Sequence, residues 1–535
     1  MLQAHTFDEL LRSAAAAFGS RTFLIDDEKL GQLTYKDVLR FSEGLERKLD
    51  DLHVPRGAYV ATAFHNCGLA ALMFLGVIAS RRVLVPLNPI SGKDELGYML
   101  DLAQCGAIFF DPEHVRTSDF GDTKAIRISN HAEFLNECVC ASPGLERQGA
   151  SSAYEGFVGE VVFTSGSTGR PKGAVLSEQN LISNARALAE VYELSESDRF
   201  LTVCPLFHNS GQLFSTLACA LVGASTVAIK SDVGMLHFWH YADKYQAHWS
   251  LGMVSFLALL NSRPNSSNNS TKMRGLLTGG SVINAALIRQ FETRFDVPVR
   301  TVYGLTECAS IAACEYLDPS PRSLGSSGRP LPICDVRIGA DPDSLAISKD
   351  PASRQRGEIW IRGPTVFERY LSAPLLTEAR RKGDWLRTGD LGYFDEHGNL
   401  FVVDRLDSML IVGGENVYPA EIERLCMQLQ GAMQIVLAGV EHPIWGHELV
   451  LVYKCSSDEI PALSAWHKIF VKELSAAKIP QRYVSIADIG MSDFPRKENG
   501  KLDRQAIAKL LKSVIQPLRQ GDGAISEGVE PKGAR

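Results

Sequence analysis

No run of apolar residues in this 535-residue chain is long enough to cross a bilayer as a helix; the longest, Leu69 to Ala79, is closed by Arg81-Arg82. An excess of positive charge is also missing. Lys and Arg number 55 against 62 Asp and Glu, for a net charge of −7. That balance argues against nucleic-acid binding as the main business and leaves room for local phosphate sites. Clustered cysteine is lacking too. The 11 cysteines are scattered, and the one close pair, Cys138-Val139-Cys140, fits no zinc spacing. Free thiols in a reducing compartment are therefore expected. The first residues lack a basic start and an apolar core, because Asp8 and Glu9 interrupt them, and the last three are not a peroxisomal signal. The expected location is the cytoplasm. What remains, 45% hydrophobic and 22% charged residues, is ordinary for a globular protein, and the length calls for two or more domains.

Strand and helix patterns alternate through the first 300 residues with short connections. Tyr59–Ala63, Val83–Pro86 and Ala107–Phe110 read as strands separated by helices over 66–80 and 95–104. Arg199–Val203, Ser225–Ile229 and His248–Gly252 repeat the pattern, with a helix over Gly211–Leu221. Such alternation predicts parallel sheets covered on both faces, arranged as two successive α/β halves. After Arg322 short alternating strands suggest a smaller β-rich subdomain, and beyond Arg405 the pattern becomes compact α+β. The predicted organisation is a large N-terminal domain over 1–405, a small mobile domain over 406–515 and a disordered tail over 516–535.

One stretch stands apart, Val161 to Val175, VVFTSGSTGRPKGAV. Two apolar strand segments enclose a loop of hydroxyls and glycines: Thr164, Ser165, Gly166, Ser167, Thr168 and Gly169, then Lys172 and Gly173. Glycines permit close backbone approach, hydroxyls add donors to the exposed amides, and the lysine adds positive charge, a combination suited to a polyphosphate. It is not a Walker A loop, since Lys172 is followed by Gly173 rather than Ser or Thr and no helix begins there.

This loop closely resembles the phosphate loop of the AMP-forming (adenylate-forming) ligases, the superfamily of acyl-CoA synthetases, carrier-protein-loading adenylation domains and firefly luciferase. Further motifs follow in order. Tyr303-Gly304-Leu305-Thr306-Glu307 is similar to the YGxTE motif, and Gly279-Gly280-Ser281 to the turn ahead of it. Thr388-Gly389-Asp390 resembles the TGD motif, and Asp404-Arg405-Leu406-Asp407 the hinge region, with Asp404 where many members have Gly. Pro495 to Lys501 resembles the C-terminal PRTxxGK motif, with Lys497 in place of Thr. Pro205-Leu206-Phe207-His208 resembles the PLFH motif at the acid site.

The resemblance implies a role for each matching residue. Tyr303, Gly304 and Gly280 would lie along the adenine, Thr306 would meet the α-phosphate, and Glu307 would hold Mg²⁺. Asp390 would bind the ribose hydroxyls with Arg405 as its partner, and Lys501 would contact the carboxylate and α-phosphate. Lys172 and the loop 164–169 would hold the departing pyrophosphate. His208 is either a gate beside the carboxylate or a structural histidine. Asn209, Trp249 and Gly252 are candidates for the acid pocket, with the core an equal alternative for Trp249; Trp445 is read as packing.

The implied reaction uses ATP and Mg²⁺ to convert a carboxylic acid to an acyl-AMP. Rotation of the small domain at Asp407 then admits a thiol, CoA or a carrier protein's phosphopantetheine. The form Gly413-Gly414-Glu415-Asn416-Val417-Tyr418-Pro419 favours CoA. The acid is aromatic or aliphatic, the assembly a monomer or homodimer. A non-catalytic nucleotide-binding protein is disfavoured, because Lys172, Glu307 and Lys501 are all present.

Overall fold

The computed structural model describes all residues except 27, 116–119, 141–156, 165–169, 264–271, 282–284, 319–321, 343–354, 427–431, 443–444, 456–462, 497–501 and 521–535. The chain falls into two compact units, Met1–Thr388 with Phe394–Phe401, and Gly389–Tyr393 with Val402–Arg535. Each has its own core.

The first unit holds two large sheets. In the seven-stranded sheet, Tyr59–Ala63 lies between Val83–Pro86 and Ala107–Phe110, all parallel. Val83–Pro86 and Ala107–Phe110 are buried at every residue, so they read as continuous apolar runs without alternation, as strands covered on both faces do. Val158–Thr164 and Lys172–Ser177 form an antiparallel pair in the same sheet, with Thr164 opposite Lys172. A two-residue strand, Arg369–Tyr370, closes that edge against Ala174 and Val175. Ser177 then starts the helix Glu178–Val191 with a reciprocal cap: its side chain accepts from the Asn180 amide while Asn180 accepts from the Ser177 amide.

In the nine-stranded sheet, five parallel strands run in the spatial order Val299–Tyr303, Gly275–Gly279, Trp249–Met253, Arg199–Thr202 and Ser225–Ala228. The two expected α/β sheets are both present, with one departure from strict succession along the chain. The N-terminal strand Thr22–Asp26 pairs parallel with Ser225–Ala228, Leu24 opposite Thr226, so the chain's first hairpin belongs to the later sheet. Parallel pairing between distant segments leaves no local trace in sequence. The predicted helix Gly211–Leu221 is corrected in detail: a short α-turn, Asn209–Gln212, opens into a π-helix, Leu213–Leu217, and returns to α over Ala218–Val222. The small β-rich part is present, with Asp335–Ile338 antiparallel to Gly357–Arg362. The strands Trp385–Phe394 and Leu400–Arg405 carry the chain from one unit into the other.

The second unit is a five-stranded sheet whose long hairpin, Ala432–His442 with Gly446–Cys455, has a core on each face. Ile435 and Leu437 point into one core, and Val436, Ala438 and Val440 into the other, the period of two expected of a strand. The last helix, Arg504–Gln520, runs five residues into the segment read as tail; residues 521–535 lie outside the described ones. Among the described residues no helix is long and apolar enough to cross a membrane.

Candidate active site

Two loops and one strand edge bring the expected phosphate-side residues of the first unit together. Thr164 and Lys172 face each other where the antiparallel pair opens into the loop, and the Thr164 hydroxyl lies 3.5 Å from the Lys172 carbonyl. The intervening Ser165, Gly166, Ser167, Thr168 and Gly169 lie outside the described residues. Lys172 Nζ sits 5.9 Å from the centre of the Tyr370 ring, a cation–π arrangement. The Tyr370 hydroxyl in turn donates to Glu307 Oε1 at 2.5 Å. Tyr370 is therefore the link between the lysine and the carboxylate. Sequence reasoning missed it, because Arg369–Tyr370 is only two residues long and its one signal, an aromatic at a sheet edge, is common.

Helix Glu178–Val191 fixes this geometry from behind. Asn180 Nδ2 donates to the carbonyls of Pro364, at 2.7 Å, and Val366, at 3.1 Å. One turn on, Asn184 Nδ2 donates to the Ile311 carbonyl at 2.7 Å. Those bonds pin the segment before Tyr370 and the loop after Glu307 to a single helix. The Phe367 amide also donates to the Glu307 carbonyl at 2.8 Å, joining the two segments directly.

Thr306 and Glu307 form a turn of 3₁₀ helix that follows the buried strand end Tyr303. The chain then doubles back through Ala309 and Ser310, both at positive φ, so that the Ser310 carbonyl passes beside Gly304. A β-carbon on Gly304 would lie 1.9 Å from that oxygen, so the loop itself requires glycine there. Gly280 differs: its φ is +79° and a β-carbon would meet nothing within 4 Å. It is exposed at the carboxyl end of its sheet, the edge where open α/β sheets bind ligands.

His208 starts the short helix Asn209–Gln212 and is half-buried against the Phe207 ring, 4.6 Å between centres. Asn66 holds this turn: its Nδ2 donates to the Cys204 carbonyl at 2.8 Å and its Oδ1 accepts from the Leu206 amide at 2.7 Å. Asn209 Nδ2 reaches the Thr306 carbonyl at 3.4 Å, so the His208 turn and the Thr306–Glu307 turn adjoin. Trp249 resolves as core. It is fully buried, its indole donates to Asp198 Oδ1 at 3.1 Å, and its ring packs on Tyr192. Gly252 is filled as well, since a β-carbon there would come within 2.2 Å of the Phe256 ring.

The remaining expected residues belong to the second unit. Asp390 is buried and accepts from Arg405 Nη1 at 3.2 Å, while Arg405 Nε donates to Asp407 Oδ1 at 3.0 Å. The expected ribose partner is thus shared between Asp390 and the expected hinge residue. Asp404 does more than the sequence suggested: its Oδ2 accepts from the Ala420 amide at 2.8 Å and so caps the helix Pro419–Cys426. Burial pushes its carboxyl above the ordinary value, against the pull of the Ala420 and Arg405 amides. Trp445 is exposed, and its ring lies over Gly413. Lys501 lies outside the described residues.

Glu307 with the Tyr370 hydroxyl offers the oxygen ligands that Mg²⁺ prefers. One other group among the described residues, Asp111, Glu113 and His114, is close-set enough for an ion. There Lys29 Nζ already lies 3.0 Å from Asp111 and 3.6 Å from Glu113. Burial would raise the Asp111 carboxyl, but bonds from His131, the Glu113 amide and Lys29 hold it well below its ordinary range. Asp111 in that cluster is thus already taken up by Lys29 and His131.

Residues 11–371 match the family of AMP-binding enzymes. Sulfoacetate–CoA ligase of Cupriavidus necator is 27% identical over 93% of this chain and 96% of its own length. Indoleacetate–CoA ligase of Aromatoleum aromaticum is 32% identical over 69% of this chain and 71% of its own. Among solved structures, o-succinylbenzoate-CoA synthetase from Bacillus subtilis with its acyl-adenylate intermediate superposes with a TM-score of 0.80. It covers 95% of this chain and 98% of that one at 24% identity, and so speaks for the fold. With a family match over well more than half its length, this chain belongs to the AMP-binding enzymes.

Proposed function

We propose that the residues assembled above carry out acid activation in two half-reactions, first to an acyl-AMP and then to a CoA thioester. The chain is an AMP-forming acid–thiol ligase that uses ATP, Mg²⁺ and CoA. The observation that supports the residue roles is the run Lys172–Tyr370–Glu307, which sets a cation over the face of one aromatic ring and a carboxylate on its hydroxyl. In the first half-reaction the acid's carboxylate attacks the α-phosphorus of ATP and pyrophosphate leaves. Lys172, at the mouth of the loop, neutralises charge on the leaving group. Glu307, held by Tyr370, is the Mg²⁺ ligand, and the bound ion would spread the phosphate charge. Tyr303, Gly304 and Gly280 flank the adenine, Thr306 meets the α-phosphate, and Asp390 with Arg405 takes the ribose. Lys501 is the cation on the attacking carboxylate. Catalysis of this kind is mostly positioning and electrostatics.

In the second half-reaction the thiol attacks the acyl carbon and AMP leaves. For this the small unit moves about Asp407 and withdraws Lys501. The relatives' named acids (sulfoacetate, oxalate, indoleacetate and 2-succinylbenzoate) are compact, and the same substrate class is proposed here. A pyrophosphate-exchange assay across compact acids tests the first half-reaction, and CoA against a phosphopantetheinylated carrier tests the acceptor. Lys501→Ala is expected to abolish acyl-AMP formation and spare thioester formation from supplied acyl-AMP; equal loss of both refutes the division of roles.

A further inference from the structure

The strand that delivers the phosphate loop carries a carboxylate in its interior. Glu160, in Val158–Thr164, is fully buried, with its backbone opposite Leu84 on one side and Leu176 on the other. Facing it is Gln212, equally buried, the last residue of the short helix that His208 begins. Neither the carboxyl oxygens nor the amide atoms close a well-aligned hydrogen bond, and Thr216, in the π-turn after Gln212, likewise has a buried unbonded hydroxyl. A buried polar side chain without a full set of partners is destabilising. Two apolar side chains would fill the same space without that cost. The strongest influence on the Glu160 carboxyl is burial, which pushes it up to about 8, with Gln212 pulling it partly back. No charged side chain among the described residues is among those influences. Glu160 therefore carries its proton at neutral pH.

The placement of the pair gives it a use. The segment from His208 to Val222 packs against the strands Arg199–Thr202 and Trp249–Met253 of one sheet, while Gln212 reaches a strand of the other. It begins at the proposed acid gate and contacts the Thr306 turn through Asn209. Its helical hydrogen-bonding is irregular, since the α-turn gives way to π after four residues, and π-turns are frequent at functional sites. Such a segment needs a directional contact to fix its rotation.

We propose that Glu160 and Gln212 are positioning residues that set the His208–Asn209 turn in register with the phosphate loop, and thereby the acid against the α-phosphate. This rests on the proposed function and goes beyond it by assigning residues that touch no substrate.

The test uses the full chain and a carboxylic acid that the unaltered enzyme exchanges into pyrophosphate. The double variant Glu160→Leu/Gln212→Leu is expected to melt no lower than the unaltered protein while its KM for the acid rises about tenfold and its KM for ATP stays within about twofold. A structural role alone would leave both KM values unchanged, and that result overturns the proposal. Should the double variant not fold, Glu160→Gln decides. In the unaltered enzyme the KM for the acid should climb as pH passes about 8, where Glu160 loses its proton. In Glu160→Gln, which keeps an amide contact to Gln212, that climb should vanish; superimposable profiles from pH 6 to 9 also overturn the proposal. An enzyme that exchanges pyrophosphate with no acid at all would instead count against the proposed function.

Discussion

Tyr370 and Glu307 are joined by one hydrogen bond, phenol hydroxyl to carboxylate, across 63 residues of chain. The same ring carries Lys172 over its face. Replacing Tyr370 with Phe keeps the ring and the cation–π contact and removes the hydroxyl alone. A hydrogen bond to a charged group contributes about 1.5–3 kcal/mol, so kcat/KM for MgATP should fall roughly 10- to 100-fold with little change in melting temperature. A Mg²⁺ titration of pyrophosphate exchange checks this; the variant should need more Mg²⁺ for half-maximal rate.

The two glycines of the proposed adenine side should respond differently. Gly304→Ala forces a methyl group against the Ser310 carbonyl, and overpacking of this kind costs about 1–3 kcal/mol or more. The loop carrying Thr306 and Glu307 must shift, so both thermal stability and exchange rate should drop. Gly280→Ala meets open space and bears only the penalty of a left-handed backbone, about 1–2 kcal/mol. Its melting curve should move little. Equal damage from both substitutions would contradict the contact at Gly304.

Much of this arrangement was legible in the sequence, for physical reasons that can be named. Val83–Pro86 and Ala107–Phe110 announced themselves because strands buried on both faces are apolar throughout. The loop between Thr164 and Lys172 was visible because hydroxyls and glycines interrupt two such strands. Asp390 and Arg405, though 15 residues apart, were paired by motif, and their side chains do meet. What escaped was non-local. Tyr370 gains its place from a two-residue strand pairing and from Asn180, neither of which leaves a pattern near Tyr370 itself. Trp249 was ambiguous because an aromatic at a strand start suits a pocket or a core equally; its bond to Asp198 decides for the core.

That assignment of Trp249 is open to measurement. Trp249→Phe removes the indole donor and leaves Asp198 to Ser195 and to Arg274, whose guanidinium lies 3.0 Å away. Stability should fall by about 1–3 kcal/mol while the KM for the acid stays within about twofold. A changed acid preference at unchanged stability would return Trp249 to the pocket.

Arg81 and Glu178 form a buried pair at 2.6 Å, and Glu178 also accepts from the Phe7 amide at 2.8 Å. Burial raises the Glu178 carboxyl to about 7, with the Phe7 amide and Arg81 offsetting part of the rise. A raised carboxyl holds its proton longer when folded than when unfolded. Its contribution to stability is therefore complete below the unfolded value near 4.5 and is lost as pH rises through about 7. Removing the guanidinium leaves a carboxylate that can escape its cost only by taking up a proton. Arg81→Ala should cost about 3–5 kcal/mol at pH 8 and distinctly less at pH 6, read from denaturant curves at the two pH values.

The chain's first hairpin finds its sheet partner late. Thr22 receives the hydroxyl of Ser225, 203 residues downstream. A nascent polypeptide leaving the ribosome must therefore hold an unsatisfied strand until Ser225–Ala228 has emerged, and contacts of such separation form slowly. Trimming the N-terminus would not simply shorten the protein. It would uncover the backbone of Ser225–Ala228 as a bare edge, open to the same edge of another molecule, so shortened chains should be lost to aggregates rather than to inactivity.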